Sequence, residues 1–516
     1  MSATATTPRN ETARDPPADD GRCALLQGLL LAVFLVLCWR YASGLNLWGD
    51  EAYSLDFVEG RISVVDPSHL PTYYAVLKLV TSAVPGTNEL ALRMLHAIAF
   101  ALGLLFGTLA VWRVTQSGRT AVVSLAVAVL LPDFQFYATN LRMYSLTFLA
   151  TMANVDAMTR LADRDRAPGP TALAWYIVSG AALVAIDFPG LFYYGIGAAC
   201  LAVRWARARR WHLAPLLLLP LLPLVGFFVA NPSLFADLLR WRPEEDPGTS
   251  SAGFFNTIKL AYLTLRPGLD LAYAAALPSA IALVLPGALF VVIVLAALRQ
   301  TVGARGRLPA EPLIPLLALC WLIAAPTGFA FTRIFLPSQF FMVVVLVRAM
   351  HSPGGMLRRA ASIATVALVL VNVYQALIPT YRLDTITPYR KIADDVAAAF
   401  VAEGIETVMA SDNSLNVESI FRYLRDRAAS RGIRLLTVND RELVQRAAEL
   451  HGRPFVFISH IGGGGPFVDI HGLGQRTPEL ARGYVPLRDL PYNDLWKRRY
   501  IERAGQPDAI DVWIVR

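Results

Sequence analysis

The stretch ALLQGLLLAVFLVLCWRYASGLNLWGDEAYS, residues 24–54, joins a long apolar run to a polar segment holding two adjacent acids. About 20 apolar residues match the hydrocarbon thickness of a bilayer, so Ala24–Trp39 and its flank read as a membrane span. Asp50 and Glu51 fall just beyond its end. Outward from this stretch the whole chain follows the same pattern. Its 516 residues are 55% hydrophobic and 17% charged, where soluble domains carry about 25% charged residues. Long runs such as Leu271–Leu298 and Ala361–Ile378 hold the excess. Eleven spans are predicted, near 24–42, 90–112, 120–140, 142–159, 171–187, 190–203, 213–230, 271–298, 312–330, 334–350 and 361–380.

The sign of the connecting loops orients these spans. Alternate loops carry Arg113 and Arg119; Arg160, Arg164 and Arg166; Arg204, Arg207, Arg209 and Arg210; Arg299, Arg305 and Arg307; and Arg358 and Arg359. Basic short loops mark the cytoplasmic side. The other loops hold Asp50, Glu51, Asp56, Glu59, Asp66, Asp133, Asp187 and the Glu244–Asp246 cluster, and are expected outside. The net charge of +8 is therefore topological, and nucleic acid is not an expected partner. Cys23, Cys38, Cys200 and Cys320 each fall in or beside a span without metal-ligand or paired spacing, and read as apolar packing.

Residues 1–22 are polar and lack an apolar core for a cleavable signal; they read as a disordered cytosolic tail. Residues 23–380 form the expected transmembrane domain. Its first outer loop, 43–89, contains Leu70–Val84, too short to span and suited to an interfacial helix. A second outer loop, 231–270, holds Trp241 and the short apolar piece Phe254–Leu265. From 381 to 516 helical patterns (Tyr389–Ala402, Val417–Ser430, Arg441–Leu450) alternate with short strands (Thr407–Met409, Arg434–Val438, Pro454–Ser459, Asp511–Val515). This predicts a soluble C-terminal α/β domain with a largely parallel sheet. An odd number of spans puts it outside the cell.

Leu47-Trp48-Gly49-Asp50-Glu51-Ala52-Tyr53-Ser54 is the strongest local signal. Adjacent acids at a membrane surface are costly unless solvated, paired or used; on charge alone a solvated loop start explains them as well. Three further patches shift the balance: Ser68-His69-Leu70-Pro71-Thr72-Tyr73-Tyr74 followed by Lys78, Gly86–Arg93, and Phe136–Leu146 with Arg142 and Tyr144. With Arg333–Pro337, this ordered set resembles bacterial members of glycosyltransferase family 39 and its relatives in the GT-C superfamily. Those include protein O-mannosyltransferases, lipid A aminoarabinose transferases and Rgt-type lipopolysaccharide sugar transferases. His69-Leu70-Pro71-Thr72 departs from the family's usual two prolines and leucine.

The resemblance implies a polytopic α-helical fold in a bacterial plasma membrane. It also implies inverting transfer of a sugar from a polyprenyl-phosphate carrier to an acceptor at the outer face. Asp50 matches the family's catalytic acid and is the expected general base; Glu51 would orient Asp50 or the sugar, or share a metal with it. The phosphate leaving group is a weak base and needs no acid partner. It does need preorganised cations, and arginine's planar fork suits it. Lys78, Arg93, Arg142, Arg266 and Arg333 are the outward candidates, with His69 and Tyr144 as hydrogen-bonding neighbours of sugar or phosphate. A divalent metal at Asp50 and Glu51 is compatible with the family, although hard cations want several oxygens and no clear cage is visible. The acceptor, whether glycan, lipid or protein, is not specified. Gly462–Gly465 lacks nucleotide-fingerprint spacing and reads as a turn. A transporter would call for internal repeats and midplane charges, which are not evident. A non-catalytic scaffold with an outer binding domain explains the C-terminal region but not the acids beside outward arginines.

Overall fold

A computed structural model describes residues 20–47, 49–61, 70–83, 88–162, 169–233, 236, 288–289, 291–297, 299–300, 336–351, 355–377, 389–411, 417–438, 442, 445–446, 449–450, 453–462, 484–486 and 508–515. The predicted spans 271–298 (most of it) and 312–330, the glycine run beyond Gly462, His69, Arg266 and Arg333 lie outside these residues.

Apolar sequence becomes helix where the backbone must satisfy its own hydrogen bonds in lipid. The bundle is built from α1 (Asp20–Ala42), α4 (Glu89–Thr115), α5 (Gly118–Ala128), α6 (Pro132–Ala138), α7 (Tyr144–Leu161), α8 (Pro170–Ile186) and α9 (Phe188–Arg207). After a 3-10 segment, Trp211–Leu221, come α10 (Leu222–Ala230), α11 (Leu336–Met350) and α12 (Gly355–Leu377). Two short helices, α2 (Gly49–Val58) and α3 (Pro71–Ala83), occupy the predicted first outer loop. Among the described residues, four helices are long and apolar enough to cross a membrane, or five if the bent pair α5–α6 is one span. That pair turns by 73°. Pro132 cannot continue the preceding helix, because it lacks an N–H and crowds the turn before it. Asp133, read from the sequence as a loop residue, is buried at this bend, where Gln339 donates to it over 2.9 Å.

Close approach between helices relies on small residues, since lipid supplies no hydrophobic drive between spans. A methyl group at Gly103 of α4 would lie 2.6 Å from the Phe148 ring of α7, and one at Gly107 would lie 2.9 Å from Phe340 of α11. Phe100 stacks on Phe148 with ring centroids 4.0 Å apart, and on Phe34 of α1 at 5.8 Å. The opposite faces of α1 and α12 expose Leu25, Leu29, Val36, Ile363 and Leu370, as lipid-facing helices do.

Contacts at the helix ends give the bundle two unlike poles. At one, Arg113 of α4 and Arg160 of α7 share the buried Asp156. At the other, Arg93 near the start of α4 meets Glu51 of α2. Twenty residues of helix separate Arg93 from Arg113, about 30 Å at 1.5 Å per residue.

The C-terminal unit stands at the Glu51 pole. Helices α13 (Tyr389–Ala402) and α14 (Val417–Ala429) pack on a sheet of β1 (Thr407–Ser411), β2 (Arg434–Val438), β3 (Phe455–Gly462), β4 (Tyr484–Pro486) and β5 (Asp508–Val515). Strand order is β2-β1-β3-β5-β4. β1 pairs in parallel with β2 and β3, while β5 runs antiparallel to both β3 and β4. The sheet is thus mixed, and the expectation of a largely parallel one holds only for its first half. Tyr389, Ile392, Val396 and Phe400 recur at helical spacing along α13 and meet Val408, Val456 and Ile514 in a separate apolar core.

Candidate functional site

The first turn of α2 places Asp50 and Glu51 side by side in sequence and in opposite surroundings. Glu51 is fully buried. Arg93 forks onto it, Nη1 donating to Oε1 at 2.7 Å and Nη2 to Oε2 at 2.8 Å. The Leu141 N–H donates to Oε1 at 2.7 Å. Arg93 is 1% exposed and also donates to the carbonyls of Thr139 (2.8 Å) and Asn46 (3.1 Å). One bidentate pair therefore ties α2 to α4 and to the turn before α7, with both charges compensated as buried ions must be. Both Glu51 oxygens and both Arg93 terminal nitrogens are engaged by each other and by backbone.

Asp50 faces the other way, with 40% of its side chain exposed. Its neighbour is Arg142, buried in the α6–α7 turn. Arg142 Nη2 lies 3.7 Å from Asp50 Oδ2, while Nη1 donates to Ser54 Oγ at 2.8 Å and to the Asp50 carbonyl at 3.3 Å. Ser54 in turn donates to the Asp50 carbonyl over 2.8 Å. Arg142 is therefore held by α2 backbone and hydroxyl, leaving the longer contact to the Asp50 carboxylate.

Aromatic packing supports this corner. The buried Tyr73 hydroxyl donates to the Leu141 carbonyl at 2.6 Å, clamping α3 to the Arg142 turn. Burial holds the Tyr73 phenol well above its ordinary pKa, against the nearby Arg142 guanidinium, so it remains a donor. Tyr74 packs on Phe57 of α2 at 4.7 Å and Tyr144 edge-on to Tyr137 at 5.3 Å. Tyr144 is buried beside Arg142 and acts as wall.

Of the sequence candidates, the structure brings Asp50, Glu51, Arg93, Arg142 and Tyr144 to one pole. Lys78 lies on α3, exposed, and makes no ion pair with a described residue. Arg93 points to Glu51, not to an open surface. A divalent metal fits this donor set poorly. Glu51 is engaged by Arg93 and Leu141, and among the described residues no three His, Cys, Asp or Glu gather. One carboxylate does not make the oxygen cage a hard cation takes.

Sequence reading quoted Ser54 and Tyr73 in its patches without giving them a role, and passed over a trio on α14: Arg422, Tyr423 and Arg425. The only local cue for the trio was two arginines at helical spacing, which reads as a solvated face. An apolar pocket elsewhere in the bundle is lined by Val111, Met158, Leu183, Cys200 and Phe341. None of Asp50, Glu51, Arg93 and Arg142 lines it, and it is not part of this site.

No protein-family profile matches the chain, and no curated protein sequence matches it significantly. Solved structures do. The crystal structure of ArnT from Cupriavidus metallidurans bound to undecaprenyl phosphate superposes with a TM-score of 0.57 at 13% identity, covering 94% of this chain and 97% of that one. The apo ArnT structure from the same organism gives 0.53 at 13% identity, with 96% and 98% covered. At such low identity the likeness establishes the fold, that of a polytopic membrane protein.

Proposed function

We propose that this protein is a membrane glycosyltransferase that moves a sugar from a polyprenyl-phosphate carrier to an acceptor at the outer face of a bacterial plasma membrane. The observation that carries the reading is the exposed Asp50 carboxylate beside the buried Arg142 guanidinium at one pole of an ArnT-like bundle. ArnT is a lipid A aminoarabinose transferase of the GT-C group, one of the groups the sequence patches resemble. The undecaprenyl phosphate of the ArnT structure is a carrier phosphate of the class this site would meet.

In the proposed step Asp50 takes the proton of the acceptor hydroxyl as its oxygen attacks the anomeric carbon. The bond to the carrier phosphate breaks, and configuration inverts. General-base assistance of this kind contributes about 10²–10⁴-fold. Negative charge grows on the departing phosphate, where a preorganised cation acts most strongly. Arg142 is the described cation nearest Asp50, with Lys78 and Arg333 as further contributors. Glu51 and Arg93 act indirectly, as the ion pair that sets α2. The alternating basic loops orient the Asp50 pole outward, with the N-terminus inside and the C-terminal unit outside.

The test compares wild type with Asp50→Asn, both purified in lipid nanodiscs, by release of polyprenyl phosphate from polyprenyl-phosphate sugars offered with candidate acceptors. The variant is expected to keep its melting temperature and lose at least about a hundredfold in turnover. Wild-type rates in the variant would remove Asp50 as the base. Turnover of no such donor by either protein would favour a transporter or a scaffold.

A further inference from the structure

Helix α2 and the residue just past it carry four carboxylates within ten positions: Asp50, Glu51, Asp56 and Glu59. Left bare, this cluster would repel an anionic carrier lipid. Glu51 is neutralised from within the bundle by Arg93. The other two are neutralised largely from the C-terminal unit, more than 360 positions away in the chain. Arg425 forks onto Asp56, Nη1 to Oδ1 and Nη2 to Oδ2, both at 2.9 Å. Arg422 forks onto Glu59 at 2.6 and 3.1 Å and reaches Asp56 Oδ1 as well. Arg61 completes the cluster, 3.2 Å from Glu59 and 3.7 Å from Asp56. Asp56 is 1% exposed, so these charge-assisted bonds work in a poorly solvated setting, where they are strong and directional.

Tyr423, between the two arginines, holds the other side of α2. The Leu47 N–H donates to its hydroxyl at 3.0 Å, and that hydroxyl donates to Glu89 Oε2 at 3.0 Å. Burial, then the Glu89 carboxylate, raises the Tyr423 phenol's pKa, so it keeps the proton it donates. Arg390 of α13 bonds Glu89 at 3.1 Å and lies over the Tyr423 ring at 5.1 Å. One face of the C-terminal unit therefore grips the backbone three residues before Asp50, the side chain six residues after it, and the first residue of α4, four before Arg93. Asp50, beside Arg142, keeps 40% of its side chain exposed.

We propose, resting on the glycosyltransferase reading, that Arg422, Tyr423 and Arg425 are positioning residues for Asp50. The C-terminal unit is then a working part of the transfer site, because α2 is set only while α14 is docked. A displacement of about 1 Å at a reacting group costs about a hundredfold in rate, so loosening α2 shows in turnover before it shows in binding.

The experiment uses the full chain in nanodiscs. In the Arg422→Gln/Arg425→Gln double variant kcat is expected to fall about 10–100-fold, with donor KM within about twofold of wild type. Hydrogen–deuterium exchange is expected to rise in residues 45–60 and to stay unchanged in α7. Asp56→Asn is expected to reproduce the kcat loss and to add little on top of the double variant, in which both of its C-terminal partners are already gone. Wild-type kcat and exchange in the double variant overturn the proposal. If that variant does not assemble, Tyr423→Phe and Arg425→Lys decide it: both are expected to lower kcat, with Arg425→Lys the milder, and wild-type kcat in both overturns it. If wild type itself uses no polyprenyl-phosphate sugar, the transferase reading falls. The exchange of residues 45–60 then decides the docking claim, and an unchanged profile overturns that too.

Discussion

Helix α4 carries an arginine near each end, and each meets a buried acid from another helix: Arg93 with Glu51, and Arg113 with Asp156. By charge pairing the two poles look alike. They differ in what stands next to the pair. Beside Glu51 the chain presents a second carboxylate, Asp50, with 40% of its side chain exposed and a separate buried guanidinium, Arg142, at 3.7 Å. At the Arg113 pole, Asp156 is shared by Arg113 and Arg160, and the residues on either side of it, Val155 and Ala157, are apolar. An ion pair within a bundle is thus not a sign of chemistry. The sign is an acid that the packing leaves exposed beside a cation that the packing has already buried.

The same chemical change at the two poles is the sharpest way to break this comparison. Asp50→Asn is expected to remove turnover while leaving the melting temperature alone. Asp156→Asn is expected to lower the melting temperature while the surviving protein keeps its kcat, because it leaves two arginines short of a counter-charge. Equal kcat losses from both would make the poles equivalent. A step smaller in turnover, Arg142→Gln is expected to reduce kcat about tenfold or more, with Arg142→Lys recovering part, since lysine keeps the charge but not the fork. Full activity in the glutamine variant would take Arg142 out of the site. Glu51→Gln tests stability more than chemistry. Removing one partner of a buried pair costs about 3–5 kcal/mol, read as loss of folded protein in the membrane. A well-folded Glu51→Gln protein with kcat lost would return Glu51 to the chemistry. The smallest effect is expected from Gly103→Ala, where overpacking against Phe148 costs about 1–3 kcal/mol at unchanged kcat; an unchanged melting temperature would show that α4 and α7 have room to part.

Much of this was legible along the chain. Apolar runs of span length predicted α1, α4 and the helices from 170 to 230 to within a few residues, because in lipid a helix is the backbone's own solution. The short apolar stretch Leu70–Val84 became the helix α3, and the break at Pro132 has a local cause. The mixed sheet was not legible, since a strand's partner direction is set by its connections and not by its pattern. Nor was the burial of Asp133, which waits on Gln339 some two hundred residues on.

The sequence by itself determined that the chain crosses a membrane several times, that its basic loops alternate, and that two acids follow the first span. These are properties of length, hydropathy and local charge, which act residue by residue. Only the tertiary structure decided that Glu51 is fully buried while Asp50 keeps 40% of its side chain exposed, that Arg93 and Arg142 take different partners, and that α14 reaches back to α2. Those outcomes depend on which helices meet, 42 to 369 positions apart. A carboxylate's neighbours at that range are set by packing, which no local pattern encodes.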